Sequence, residues 1–194
     1  MMNMTEGQRL NEFLKEAPDI IRTNGALIDY LCKNGYFTAP ASAKYHGNYP
    51  GGLFDHCYKV YEALQWLTSG LDVSWARPES VFIVAFFHDL CKIDQYIEIE
   101  DNPGKVMFGE TEPQGREIHY EYNNNLLLTG HGAKSVMLLS QFMQLTEEEI
   151  LCIRYHMGAY EKDDWIGYDL AIKKYPNVLF THTADMYASK VEGT

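Results

Sequence analysis

The chain has 194 residues, 46% of them hydrophobic, and a formal net charge of −11. That length suits one domain with a sizeable core, and the charge argues against an extended duplex-binding surface, which needs many Lys and Arg against phosphates. The longest apolar run, Val81–Phe87, is far short of the ~18 residues of a membrane span, and the opening MMNMTEGQRLNEF lacks the basic and apolar regions of a secretory signal, so a cytoplasmic protein without membrane association is expected.

Residues 8–15 form a short amphipathic stretch. Pro18 opens a longer helix, with Ile20, Ile21, Ala26, Leu27, Tyr30 and Leu31 near the 3.6-residue period and Asn34-Gly35 as its end. The segment TAPASAKYHGNYPGG reads as loop, and Leu53 to Leu67 as a helix closed by Ser69-Gly70. Pro78 fits a first helical turn, and the helix after it is expected to run to about Lys92. Tyr96, Ile97 and Ile99, then Val106 and Phe108, then Ile118, Tyr120 and Tyr122 alternate around Asn-Pro-Gly and Pro-Gln-Gly turns. This predicts two or three short strands forming a flap at about 96–122. Further helices are expected over about 132–144, from a capping-box-like Thr146 to His156, and over about 177–190. The fold class is therefore all-α, seven or eight helices with a small β-hairpin flap.

Cys32, Cys57, Cys91 and Cys152 contain no CxxC pair, which argues against a zinc ribbon or a dithiol redox site; they read as reduced, buried thiols.

The stretch FFHDLCKID, residues 86–94, sets His88 and Asp89 at the end of the apolar run. A desolvated imidazole beside a desolvated carboxylate is costly unless both are paired or bound to a cation. The plain reading is a salt-bridged pair at a helix end; the alternative is a metal site, which needs ligands from elsewhere. His56 follows Gly51-Gly52 near a helix start, His131 lies between Gly130 and Gly132, His156 precedes Met157-Gly158, and Asp185 falls inside the last helix. Imidazole and carboxylate together suit zinc, manganese, iron or nickel. Each histidine taken singly is more often a packed residue than a ligand.

In order, GGLFDHCYKV, FFHDLCK, GHGAKS, RYHMG and THTADMYASK resemble the HD-domain metal-dependent phosphohydrolase superfamily over roughly residues 46–190. The flap and the YHGNYPGGLFDH approach are closest in pattern to its 3′→5′ exoribonuclease-like branch, without the OB domain that such enzymes often carry. The resemblance implies one HD-type domain over 1–194, with N-terminal helices over 1–45 and a metal-binding core over 46–190. It implies that His56, His88, Asp89 and Asp185 hold one divalent ion, that His131 and His156 help hold a second, and that Asp89 bridges the two. The ions would be manganese, iron, zinc or nickel. The activity implied is hydrolysis of a phosphoester in a nucleotide or short oligonucleotide, so the partner is a small phosphorylated substrate or a short single strand. A di-iron oxygenase on the same ligands, or a non-catalytic metal-binding module, are the competing readings. Many members have glycine where this chain has Cys91, a position outside the ligand set.

Two ions ~3.5–4 Å apart can activate water, neutralise phosphate oxygens and assist the leaving alkoxide. Asp89 is the catalytic bridging carboxylate in that scheme. Lys92, three residues on and near the same face, is assigned to phosphate binding and transition-state charge, against the reading of a solvated helix-end lysine. Lys134 and Arg154 are further phosphate-side candidates, although such residues are mostly exposed. His46 is a candidate substrate contact, His182 is spaced one turn from Asp185 so as to orient it, and His119 belongs to sheet packing.

Overall fold

Thr5 opens the first helix. Its hydroxyl accepts from the Gln8 backbone N–H and the Gln8 side chain accepts from the Thr5 N–H, which satisfies two donors that a helix start leaves without partners. The computed structural model describes residues 4–100, 118–158 and 164–193. Helix α1 (Glu6–Glu16) is followed by α2 (Asp19–Arg22), α3 (Gly25–Lys33), α4 (Gly52–Gly70) and α5 (Ser80–Phe87). A two-stranded sheet of β1 (Tyr96–Glu100) and β2 (Ile118–Tyr122) precedes α6 (Gly132–Leu139), α7 (Glu147–Arg154), α8 (Trp165–Lys174) and α9 (Asn177–Tyr187). The protein is thus mostly helical with one small antiparallel hairpin.

Several boundaries differ from those expected. The helix opened by Pro18 is two helices, because Asn24 stops the first and caps the second. Its carboxamide oxygen accepts from the Leu27 N–H at 3.1 Å and its amide donates to the Phe142 carbonyl at 2.9 Å. Such local side-chain bonds compete with helix continuation. The strands pair Tyr96 with Tyr122 through Glu100 with Ile118, and the proposed middle strand at Val106 and Phe108 lies outside the described residues. Helix α6 ends at Leu139, short of 144. Helix α8 was not anticipated: Trp165, Ile166 and Leu170 are exposed, so it shows no clean apolar face, and its start is set by Asp164 accepting from the Gly167 N–H.

Helix α5 is buried on nearly every side, as expected of a helix apolar all round. Phe82, Phe86 and Phe87 meet Phe13 of α1 at ring-centroid distances of 5.3, 5.3 and 6.1 Å, and Tyr36 donates its hydroxyl proton to the Phe86 carbonyl. Helix α4 packs on α5 and α9, α9 on α7, and α7 on α5 and α6. These contacts bring the ends and faces of α4, α5, α6, α7 and α9 around one centre. Among the described residues no helix is long and apolar enough to cross a membrane.

Candidate metal centre

Successive residues on a continuous α-helix point about 100° apart, so His88 and Asp89 would diverge from one another if α5 ran on to Lys92. It does not. Helix α5 stops at Phe87 and a 3-10 turn takes over at Leu90–Ile93. His88 keeps helical angles as the cap of α5 while Asp89 leaves them, and both side chains are buried.

The remaining donors arrive from four other elements. His56 projects from α4, whose start is pressed against the preceding loop: a Cβ on Gly52 would stand 2.0 Å from the Gly47 carbonyl oxygen. Asp55, next to His56, is held by Arg9 of α1 through two bonds of 2.9 and 3.0 Å, and by the Tyr49 hydroxyl at 3.1 Å. His131 precedes α6, His156 follows α7 and Asp185 lies in α9.

Two groups form around Asp89. In the first, His56 Nε2 lies 3.1 Å from Asp185 Oδ1, 3.3 Å from His88 Nε2 and 3.5 Å from Asp89 Oδ2. His88 Nε2 is 3.3 Å from Asp89 Oδ2 and 3.9 Å from Asp185 Oδ1. In the second, Asp89 Oδ1 lies 2.8 Å from His131 Nε2 and 3.4 Å from His156 Nε2. Donors bonded at about 2.0–2.2 Å to a common ion stand roughly 3–3.5 Å from one another, so both groups fit a cation between them.

The proton positions agree with that fit. His88 Nδ1 lies 2.8 Å from the Ala85 carbonyl and His156 Nδ1 lies 2.7 Å from that of Ile153. A carbonyl only accepts, so each Nδ1 carries a proton, and Nε2 is the ring nitrogen aimed at the centre. Among the described residues His46 Nε2 and His156 Nε2 are buried without a hydrogen-bond partner, whereas Asp89 Oδ1 has the His131 ring nitrogen at 2.8 Å. Buried polar atoms without partners are costly. A bound cation would satisfy His156 Nε2, which belongs to the donor set.

Burial pushes the Asp89 and Asp185 carboxyls up, but the neighbouring lysine and imidazoles outweigh it. Lys92, His88 and His131 hold Asp89 well below the usual carboxylate range, and His56, His88 and His156 do the same for Asp185. Burial lowers His131 against the opposing pull of Asp89, which favours the neutral imidazole that metals bind. The buried His/Asp groups, with Cys91 beside Asp89 and His131, could hold a metal ion.

The structure brings His56, His88, Asp89, His131, His156 and Asp185 together. Lys92 joins them: its ammonium is buried, 2.7 Å from Asp89 Oδ2, and that carboxylate's charge overcomes burial to raise its pKa. It is therefore no solvated helix-end lysine. The His46 ring lies 5.1 Å from that of His56, and burial foremost lowers it to about 4. Lys134 and Arg154 are turned to carboxylates outside the cluster: Lys134 lies 2.5 Å from Asp94, and Arg154 lies 3.4 Å from Asp164 and over the Tyr155 ring. His182, expected to orient Asp185, instead bonds through Nδ1 to the His156 carbonyl at 2.6 Å; intrahelical spacing missed this contact between elements. His119 lies on β2, 3.5 Å from Glu121. Cys91, whose place two residues after Asp89 put it near the centre but which read as an inert buried thiol, lies 3.6 Å from His131 Nδ1. No family model, curated protein or solved structure matches the chain, so its own donor atoms carry what can be said of the centre's chemistry.

Proposed function

We propose that this chain is a metal-dependent phosphohydrolase of the HD-domain type, acting on the phosphoester of a nucleotide or short oligonucleotide through two divalent ions. The supporting observation is the division of Asp89: Oδ2 faces His56 and His88, while Oδ1 faces His131 and His156. A carboxylate between two donor groups is the arrangement by which one Asp serves two cations. Six residues would hold the ions: His56, His88 and Asp185 on one side, His131 and His156 on the other, and Asp89 between.

Manganese, iron, zinc or nickel bound there would supply charge neutralisation at phosphate oxygens and acidify a water. The protein's own groups do the rest. The Nδ1 bonds of His88 and His156 fix the ring orientations. Lys92, beside Asp89, contributes a cation for a phosphate oxygen and for charge developing in the transition state. His46, neutral at physiological pH, offers an uncharged polar contact at the same centre.

Metal analysis of the purified protein, followed by a nucleotide and phosphodiester panel with each metal restored, tests this reading. We expect phosphate or nucleotide release that stops on chelation and returns with metal. No turnover with any of the four metals would overturn it, and iron-dependent oxygen consumption without phosphate release would replace it with oxygenase chemistry.

A further inference from the structure

We infer that Cys91 is the positioning residue for His131, and that its thiol governs how tightly the second ion is held; this rests on the two-ion reading above. An imidazole that binds a cation through Nε2 must carry its proton on Nδ1, and that proton needs an acceptor. His88 and His156 follow the last turns of α5 and α7, so a carbonyl three residues back is in reach of each ring. His131 precedes α6 with non-helical backbone angles. No helical turn lies behind it to supply such a carbonyl.

The group in that place is sulfur. His131 Nδ1 lies 3.6 Å from Cys91 Sγ, while Nε2, across the ring, faces Asp89 Oδ1. Cys91 is fully buried, and its S–H points to Gln95 Oε1 at 3.9 Å, which leaves sulfur lone pairs for the imidazole N–H. The thiol is itself fixed from α6, since the Cys91 backbone N–H donates to Ser135 Oγ at 3.0 Å. Gln95 in turn donates to the Tyr96 hydroxyl at 3.0 Å, so the chain of contacts runs from the first residue of the hairpin to His131. Because the thiol meets Nδ1, it stands behind the ring relative to the cation and acts through the histidine. Sulfur is a weak acceptor, so the ion on this side is the more loosely held of the two.

The test is a Mn2+ titration of the metal-free full chain by calorimetry. Wild type should bind two equivalents. Cys91→Ala should weaken the second by about ten- to hundred-fold, the usual range for losing an outer partner of a ligand, and leave the first within about threefold. Cys91→Ser, which keeps an acceptor, should recover part of the loss. His131→Ala should abolish the second equivalent, and adding Cys91→Ala to it should change nothing further. Unchanged second binding in Cys91→Ala overturns the inference alone, as does loss of both equivalents together in the Ala and Ser variants, which would mark the thiol as packing. A sulfur-to-cobalt charge-transfer band in Co2+-loaded protein, absent from Cys91→Ala, would make Cys91 a direct ligand and overturn its positioning role. A single equivalent in wild type would overturn the two-ion reading and this inference with it.

Discussion

Gly132 lies directly against Arg154: a Cβ added to Gly132 would stand 2.4 Å from the Arg154 carbonyl oxygen, and equally close to that of Ile153. The start of α6 and the end of α7 therefore meet backbone to backbone, which is how His131 and His156 come to sit with ring centroids 5.0 Å apart.

Gly132→Ala should accordingly separate the two helix ends, since carbonyls anchored in a helix yield less readily than a side-chain tip. The expected cost is about 1–3 kcal/mol, as for overpacking elsewhere, and if two ions bind, the one at His131 and His156 should be lost first. Urea denaturation and metal stoichiometry measure both. Gly25→Ala, where nothing lies within 4 Å of the added carbon, is the control and should be neutral or mildly stabilising.

Arg9 and Asp55 are 3% and 0% exposed, and their two-bond contact joins α1 to α4 one residue before His56. Arg9→Met leaves that carboxylate buried with Tyr49 as its remaining named partner, and should cost about 3–5 kcal/mol. Arg9→Lys keeps the charge but cannot make the paired bonds, so its unfolding midpoint should fall between the two. Equal stability of all three proteins would refute the brace.

Lys92 neutralises Asp89 in the metal-free protein. Lys92→Met should therefore destabilise strongly in chelator, by about 3–5 kcal/mol, and much less with saturating Mn2+, because the ion binds only folded protein and supplies the missing charge. Thermal unfolding with and without metal reads the difference. If turnover is phosphohydrolytic, the metal-loaded variant should keep its ions and show a lower kcat.

The three buried cysteines have thiols raised mainly by desolvation, Cys91 to about 12. At pH 8 a thiol-exchange reagent should label Cys32 alone in native protein and reach Cys57, Cys91 and Cys152 only in denaturant. The unfolded thiols ionise near 8.5, before the folded ones, so above that pH the unfolded state binds fewer protons and stability falls as pH rises. Cys152→Ala should show a shallower alkaline decline than wild type.

Much of the centre was legible because its donors sit where glycines and helix boundaries punctuate the sequence, as His56, His131 and His156 do. The departure from the helix at Asp89 was not: neither Gly nor Pro marks it, and the packing that places His88 and Asp89 at the same centre is tertiary. Helix α8 escaped because periodicity detects buried faces and α8 buries little. Lys134 and Arg154 kept their charges but not the expected direction, since they are held by Asp94 and Asp164, 40 and 10 residues away, outside the cluster.

Asp185 reaches the first donor group from α9, whereas His56 comes from α4, and α9 packs on both α4 and α7. A chain in which α4 and α5 have paired holds two imidazoles and Asp89, yet the donor group of His56, His88 and Asp185 stays incomplete until α9 docks. Closing so long a loop is entropically costly before its contacts form. A cation held by these residues therefore grips the late stage of folding: it should leave the folding rate nearly unchanged and slow unfolding, acting as a latch on the finished topology.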